Sequence, residues 1–425
     1  MSAMTELLDH DVVVIGAGAA GIAAGLRLAA SPLKFLLLEA RPRLGGRALT
    51  STAAGYPLDL GCGWLHSADR NPWTSRLAAA GFTIDKTAPG WGDQSLDPGF
   101  GAEDQQAFGA AWEAFDEALA AVDSAAPDRP AADLLAPGDR FNALIGAIGT
   151  YISGAELDKV SALDLARYAD TGVNWRVREG YGAGIVSEAL RGNGLPVKLG
   201  CHVSRIEHAG RELRVVTGAG TLRAKAVVIT VPPNLLVEGK LVFDPPLPDK
   251  LAAAAGLPLG LADKLVLKLA GPQGLLQDLP QDGHLFGRTD RVATASYHLR
   301  PFGRDLIEAY FAGNLAADLE TEESAGFFAF AAEELARIFG SDFRARLSPL
   351  IHTAWGRDPY ARGAYSYAVP GAADNRARLA TPVDGRLFFA GEACSPDDFS
   401  TAHGAYLTGI AAAEAAMAAC GNLAG

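Results

Sequence analysis

The chain is predicted to be an α/β protein, with a Rossmann-like nucleotide-binding domain and a second, α+β domain, on three observations. An apolar run, Val12-Val13-Val14-Ile15, passes through Gly16-Ala17-Gly18-Ala19-Ala20-Gly21 into an Ala-rich stretch at 22–30. A second apolar run, Phe35 to Leu38, ends in the acid Glu39. Helical periodicity between residues 102 and 170 then gives way to β-rich sequence from residue 203.

Strand, tight turn and helix is the context a dinucleotide fingerprint requires. Gly16 permits the sharp turn, Gly18 lets a pyrophosphate approach the backbone, and Gly21, seconded by Gly25, lets the helix pack on its strand. The helix N-terminus offers N–H groups and partial positive charge to the pyrophosphate. Glu39 stands where an acid takes the ribose hydroxyls. These features leave NAD and FAD undecided.

In the helical region, Phe108, Ala111, Trp112, Phe115 and Leu119 recur three and four residues apart, and the Pro-rich segment 126–137 reads as a surface loop. Strands are expected at 203–206, 213–216, 221–224 and 227–231. Gly218-Ala219-Gly220 mimics a phosphate loop but is read as a hairpin turn, because strand follows it. After Pro232-Pro233, strand-like runs occur within 257–269 and 292–311, and helix returns at 325–339. No internal repeat or low-complexity segment is present.

A chain of 425 residues is long enough for two or three domains and a large core. Its formal charge of -12 argues against a nucleic-acid surface; it is compatible with a cationic substrate, and solubility is the plainer account of it. Cys62, Cys201, Cys394 and Cys420 form no Cys-x-x-Cys pair, so reduced thiols in a cytoplasmic protein are expected. The first ten residues lack a signal-peptide pattern, and no stretch reaches the roughly 18 apolar residues of a membrane span. The nearest, 402–420, reads as a packed helix. A Gly-x-Ser-x-Gly elbow and a His-Glu-x-x-His helix are both absent, and no metal site is expected. His202, His352 and His403 are dispersed, in loop or capping positions, with His403 close to the expected cofactor.

The glycine loop, Arg43-Leu44-Gly45-Gly46-Arg47 and Leu387-Phe388-Phe389-Ala390-Gly391-Glu392 look like three parts of one cradle, and together they point to FAD rather than NAD. The run Leu38-Glu39-Ala40-Arg41-Pro42-Arg43-Leu44-Gly45-Gly46-Arg47 resembles the second motif of the flavin-containing amine oxidases, the family of monoamine and polyamine oxidases. Further matches follow in the family's order: Leu58 to His66, Val228 to Pro233, Phe243 to Pro248, Asp358 to Tyr360 with Arg362 to Tyr367, and Phe389 to Ala393. They extend over most of the chain. The segments 102–170 and 282–311 match weakly.

The resemblance implies Glu39 on the adenosine ribose, Arg41 near the adenosine, and Arg47 near the pyrophosphate, where its fork can hold phosphate oxygens. It implies that Gly46, Gly63, Trp64 and Gly391 border the cofactor, that the Val203 backbone holds the adenine, and that Glu392 meets the ribityl chain. Thr401 and Ala402 then open a helix facing the pyrimidine oxygen. Val203 equally suits a buried strand valine. Ala364 stands where monoamine oxidases carry a flavin-linked cysteine, so the FAD is expected to be noncovalent.

For the chemistry, the resemblance implies that Tyr365 and Tyr406 sandwich the amine and that Lys264 holds a water at flavin N5. Core aromatics and a surface strand lysine are the plainer alternatives. Trp355 resembles the family's active-site tryptophan, or is a buried strand residue. Trp64-Leu65-His66 looks like the Trp-Ile-His of polyamine oxidases, which makes His66 a candidate for hydrogen-bonding the amine or a structural histidine. Ser67 follows where those enzymes commonly have glycine, and no acidic pair for a second ammonium is assigned.

The expected protein is a two-domain FAD amine oxidase. Its FAD-binding domain comprises 1–88, 184–262 and 358–425, and its substrate domain 89–183 and 263–357. It converts a polyamine or other primary or secondary amine to an imine, then an aldehyde, while dioxygen becomes hydrogen peroxide. An amine dehydrogenase with another acceptor, and a flavoprotein without turnover, are the alternatives.

Overall fold

The computed structural model describes residues 9–91, 94, 99–271 and 279–422. The first strand, Asp9–Ile15, lies parallel to Phe35–Leu38 on one side and to Gly220–Ile229 on the other. Val12, Val13 and Val14 are all fully buried, as a strand covered on both faces requires, hence the unbroken apolar run. The full eight-stranded sheet runs Val242–Asp244, Val203–Glu207, Leu213–Thr217, Gly220–Ile229, Asp9–Ile15, Phe35–Leu38 and Val197–Lys198, with Leu387–Phe389 beside Gly220–Ile229.

Two strands expected at 221–224 and 227–231 are one strand, Gly220–Ile229, because both halves find partners on the same edge. Its first half pairs antiparallel with Leu213–Thr217 through a turn at Gly218-Ala219, and from Val227 the parallel strand Leu387–Phe389 takes over. The helices Ala19–Leu28 and Ala402–Asn422 cover one face of the sheet. They cross closely at Gly409, where a Cβ would lie 2.2 Å from Ala20 O. Among the described residues no helix is long and apolar enough to cross a membrane.

A second, antiparallel sheet has the order Gly283–Phe286, Ser296–Leu299, Leu306–Ala312, Ala262–Leu269, Leu347–His352. Its alternate residues Leu265, Leu267, Leu285, Tyr297, Leu299, Ile307, Ala309 and Phe311 form a core with the helix Gly313–Phe339. That helix starts twelve residues before the expected 325, and it breaks at Glu323, where φ is 57°. The region 102–170 forms Ala102–Ala120, Asn142–Ser153 and Ala162–Ala166. Its segment 126–137 is not wholly a surface loop. Ala131 and Leu134, in the turn Ala131–Leu134, are buried, and Ala131 N donates to Val160 O.

A small sheet joins Trp64–Leu65, Trp175–Val177 and Ile84–Asp85, and the helix Tyr181–Leu190 spans the expected boundary at 183/184. Strands from both sides of the expected boundary at 88/89 therefore pair in one small sheet.

Candidate active site

A cavity of about 1190 Å³ lies between the ends of the parallel strands and the inner face of the antiparallel sheet. It exceeds the roughly 300–1,000 Å³ of an ordinary small-molecule pocket, so it has room for a large cofactor and a substrate together.

At one end the wall is main chain. Gly16 has φ 99°, and a Cβ there would lie 2.4 Å from Thr230 Oγ1, whereas at Gly18 the nearest atom would be 3.8 Å away. Gly18 bridges to Gly45, and Gly45 N donates to Ala17 O at 2.9 Å, so the loop with Gly46 closes over the first turn. Gly21 does not line the cavity. A Cβ there would lie 1.9 Å from Gly16 O, so its part is to let the helix start against the turn. Glu39, 4% exposed, accepts Ala17 N and Arg41 N at 2.8 Å each, one on each oxygen. Each carboxylate oxygen keeps lone pairs for a ribose hydroxyl.

Arg41 pairs with Asp358 and lies over the Tyr360 ring at 5.4 Å. Arg47 Nη1 meets Glu392 Oε1 at 2.9 Å and also donates to Ala364 O. Burial opposes charge on Glu392, but Arg47, Ser366 and Arg376 outweigh it and hold the carboxyl below its usual range. Val203, Gly391, Thr401 and Ala402 also line the cavity. Thr401 Oγ1 accepts Gly404 N at 2.9 Å and caps the C-terminal helix, whose first turn faces the cavity. Side-chain-free glycine backbone, a ribose-facing acid, an arginine and a helix N-terminus fit a dinucleotide of the FAD kind.

At the other end Lys264, 7% exposed, points inward from Ala262–Leu269 and donates from Nζ to Asp59 O at 2.9 Å and to Glu308 Oε1 at 3.1 Å. Burial disfavours its charge, yet Glu308, Asp59 and Tyr310 prevail and raise its pKa. A Cβ on Gly63 would come within 3.3 Å of that Nζ, so the glycine gives the ammonium its space. Trp64 meets the Trp91 ring edge-on at 4.6 Å. Trp355 donates from Nε1 to Leu60 O at 3.3 Å. The Tyr365 hydroxyl is 2.9 Å from that of Tyr310 and donates to Tyr151 O.

His66 Nδ1 is 2.7 Å from Asn174 Oδ1. Asn174 Nδ2 donates to Gly172 O, which fixes the amide so that Oδ1 faces the ring and His66 Nδ1 carries the proton. Burial lowers the His66 pKa despite that bond, so the imidazole is neutral near pH 7 and Nε2 is its acceptor nitrogen.

Tyr406 is a correction. It is not part of the wall. Its ring packs edge-on against Trp73 at 4.9 Å, with the Arg76 guanidinium 5.9 Å away. The C-terminal helix turns Ala402 and Ala405 to the cavity, and one further residue rotates the side chain by about 100° out of it. The tyrosine facing Tyr365 is Tyr310 instead, from the segment whose match was weak. His403 is likewise outside the wall, bonded to Asp398 at 3.0 Å.

Sequence reasoning missed the inner face of the antiparallel sheet: His284, Phe286, Ser296, His298, Glu308 and Tyr310. Period-two alternation was the available signal, since Ile307, Ala309 and Phe311 are buried between them. The helical stripe Phe108, Trp112, Phe115 and Leu119 also lines the cavity, as do the carboxylates Asp116 and Asp170. Asp170 Oδ1 accepts Gly172 N at 3.0 Å, and Asp116 takes a hydrogen bond from Trp112. Ser67, with φ 47°, holds the left-handed conformation that favours glycine, and its Oγ lies 3.3 Å from Asp170 Oδ1.

Fold and cavity together define a dinucleotide-binding protein whose cradle opens into a buried, largely aromatic chamber. The family described as flavin-containing amine oxidoreductase matches residues 115–417, and a NAD(P)-binding Rossmann-like domain matches 14–80. The chain belongs to the flavin-containing amine oxidoreductases, is an FAD-dependent enzyme and acts on the C–N bond of an amine. Polyamine oxidase 2 of Arabidopsis thaliana is 29% identical over 95% of this chain and 87% of that protein. Polyamine oxidase 3 of Oryza sativa subsp. japonica is 29% identical over 95% of this chain and 88% of its own length. The solved structure of wild-type putrescine oxidase bound to putrescine superposes with a TM-score of 0.77 at 21% identity, covering 97% of this chain and 100% of that one.

Proposed function

We propose that the enzyme oxidises a polyamine-class primary or secondary amine, that dioxygen takes the electrons and becomes hydrogen peroxide, and that it works in the cytoplasm with noncovalent FAD. The observation that carries this is the continuity of one cavity from the glycine cradle at Gly16 and Gly18 to Lys264, Tyr310 and Tyr365. The polyamine oxidases among its relatives support the substrate class, the cavity-lining carboxylates Asp116 and Asp170 suit a substrate with a second ammonium, and four free cysteines suit a reducing compartment. Ala364 offers no thiol for a flavin bond.

When bound, FAD supplies a hydride acceptor for the carbon beside the amine nitrogen and a route for electrons to oxygen. The protein positions that carbon and keeps water away. Tyr365, Tyr310, Tyr168 and Trp355 wall the chamber with aromatic surface, which lowers an amine's pKa and favours the neutral form that can be oxidised. The neutral His66 offers Nε2 as an acceptor for an amine N–H. Lys264 uses two of its three N–H donors on Asp59 and Glu308, and its held positive charge stabilises negative charge developing at the reacting edge or on oxygen. Glu39, Arg41, Gly46, Arg47, Gly63, Trp64, Val203, Gly391, Glu392, Thr401 and Ala402 hold the cofactor.

The test is anaerobic bleaching of the flavin by a panel of monoamines, diamines and polyamines, followed by peroxide measurement under air. Bleaching by polyamines with stoichiometric peroxide is expected. Bleaching without peroxide would make the enzyme a dehydrogenase, and no bleaching by any amine would end the reading.

A further inference from the structure

Behind Lys264 and Trp355 stand two carboxyl groups that the proposed reaction does not use. Asp263 precedes Lys264 on Ala262–Leu269, so its side chain leaves the opposite face of the strand, where it is fully buried. Its Oδ1 accepts Thr353 Oγ1 at 2.8 Å and Trp355 N at 3.0 Å, and Thr353 Oγ1 itself accepts Lys264 N at 2.9 Å. One carboxyl oxygen thus ties together the main chain at both wall residues.

The other oxygen, Oδ2, has no hydrogen-bond partner among the described residues, and the Glu320 carboxyl neighbours that of Asp263, the two accepting the successive amides of Gly356 and Trp355. Glu320, 5% exposed on Gly313–Phe339, accepts Gly356 N at 2.7 Å through Oε1. Among the described residues the surrounding groups supply no charge of opposite sign. Lys264 sends its ammonium to Asp59 and Glu308 on the cavity side. Arg357 donates to Glu320 O and to Glu323 Oε1, not to either carboxyl. Tyr310 and Tyr365, the nearest phenols, are kept neutral by burial. Two adjacent buried carboxylates without a cation are strongly disfavoured, whereas one proton between them removes the repulsion and makes the missing hydrogen bond.

We propose that Asp263 and Glu320 are a protonated carboxyl pair, a positioning element that fixes Lys264 and Trp355 on the cavity wall. The inference rests on the amine-oxidising reading only for the role of the residues so fixed.

Burial, reinforced by Glu320, raises the Asp263 pKa from 3.8 to about 7, so the native chain holds a proton that the unfolded chain has released over that interval. The native state then binds more protons than the unfolded one. Stability from the pair is complete below about pH 4 and declines as pH rises toward 7.

The experiment follows thermal unfolding of the FAD-loaded protein from pH 4.5 to 8, for the wild type, Asp263→Asn and Glu320→Gln. The wild-type Tm is expected to fall as pH approaches 7, and each amide, which carries its own N–H donor, is expected to give a flatter profile. An unchanged slope in both variants overturns the pair. In a second arm, anaerobic flavin bleaching by a reactive amine is timed. Asp263→Ala is expected to slow it tenfold or more, and Asp263→Asn to restore the rate to within about threefold. Thr353→Val, which cuts the link to Lys264 N while leaving both carboxyls, is expected to slow it severalfold and covers the case in which the alanine variant does not fold. Wild-type rates in both Asp263→Ala and Thr353→Val overturn the positioning role. A wild type that no amine bleaches would sink the proposed function and still leave the Tm profiles to decide the pair.

Discussion

Lys264 combines deep burial with a retained charge, and Glu308 is the main reason. Replacing Lys264 by methionine keeps the length and removes the cation, so oxidation of reduced enzyme by oxygen is expected to slow by about 10²-fold, the scale of losing one preorganised donor. Stopped-flow reoxidation measures it, and an unchanged rate refutes the role. Because the Lys264 pKa is raised, its charge is present below that value and lost above it. Glu308→Gln removes the largest opposing influence, so the alkaline limb of the reoxidation profile is expected to move to lower pH. Tyr365 and Tyr406 separate just as cleanly. Tyr365→Phe loses the hydroxyl contact to Tyr310 and is expected to alter the rate of flavin bleaching, while Tyr406→Phe, packed on Trp73 outside the chamber, is expected to leave it within about twofold. The sequence motifs led to Lys264 and Tyr365 because each sits in a distinctive local run, Lys264 in the strand Ala262–Leu269 and Tyr365 in the irregular segment after Arg362-Gly363-Ala364. They could not distinguish Ala402 from Tyr406, since the orientation of a helix about its axis is decided by what it packs against.

The nucleotide cradle was the most legible element, because glycines there answer to local geometry. Gly21→Ala puts a methyl 1.9 Å from Gly16 O, so the turn and the helix start must separate, at a cost of about 1–3 kcal/mol typical of overpacking. The purified variant is expected to hold substoichiometric FAD, read as the ratio of visible to ultraviolet absorbance; full occupancy would contradict the geometry. The antiparallel sheet was far less legible. Two of its strands, Gly283–Phe286 and Ser296–Leu299, are only four residues long, and its cavity-facing positions carry histidine, serine, glutamate and tyrosine, which reduce the hydrophobic contrast that marks a strand. The segment 126–137 misled for the opposite reason: prolines announced a loop, while Ala131 and Leu134 were claimed by the core against Val160.

At the scale of the molecule, sequence order and spatial order diverge, and sequence alone cannot show which distant segments complete one another. Arg70 and Asp398 lie 328 residues apart and form a bonded pair that His403 joins. Burial would raise the Asp398 pKa, but His403 and Arg70 reverse this and lower it to about 2. Its contribution is therefore present above the ordinary carboxylate pKa and lost as pH falls toward 2. Asp398→Asn is expected to lower Tm near neutrality and to flatten the acid limb of Tm between pH 4 and pH 2; a limb as steep as the wild type would show that the cluster does not control acid unfolding. The shared edge of Gly220–Ile229 reaches further. Its second half waits for Leu387–Phe389, and the chamber waits for Thr401 and Ala402, so the glycine cradle at Gly16 and Gly18 offers the flavin no complete berth until residues as late as these have been made. Until then Leu213–Thr217 covers only the first half of that strand, and the backbone from Val227 onward is an unpaired edge open to a wrong partner.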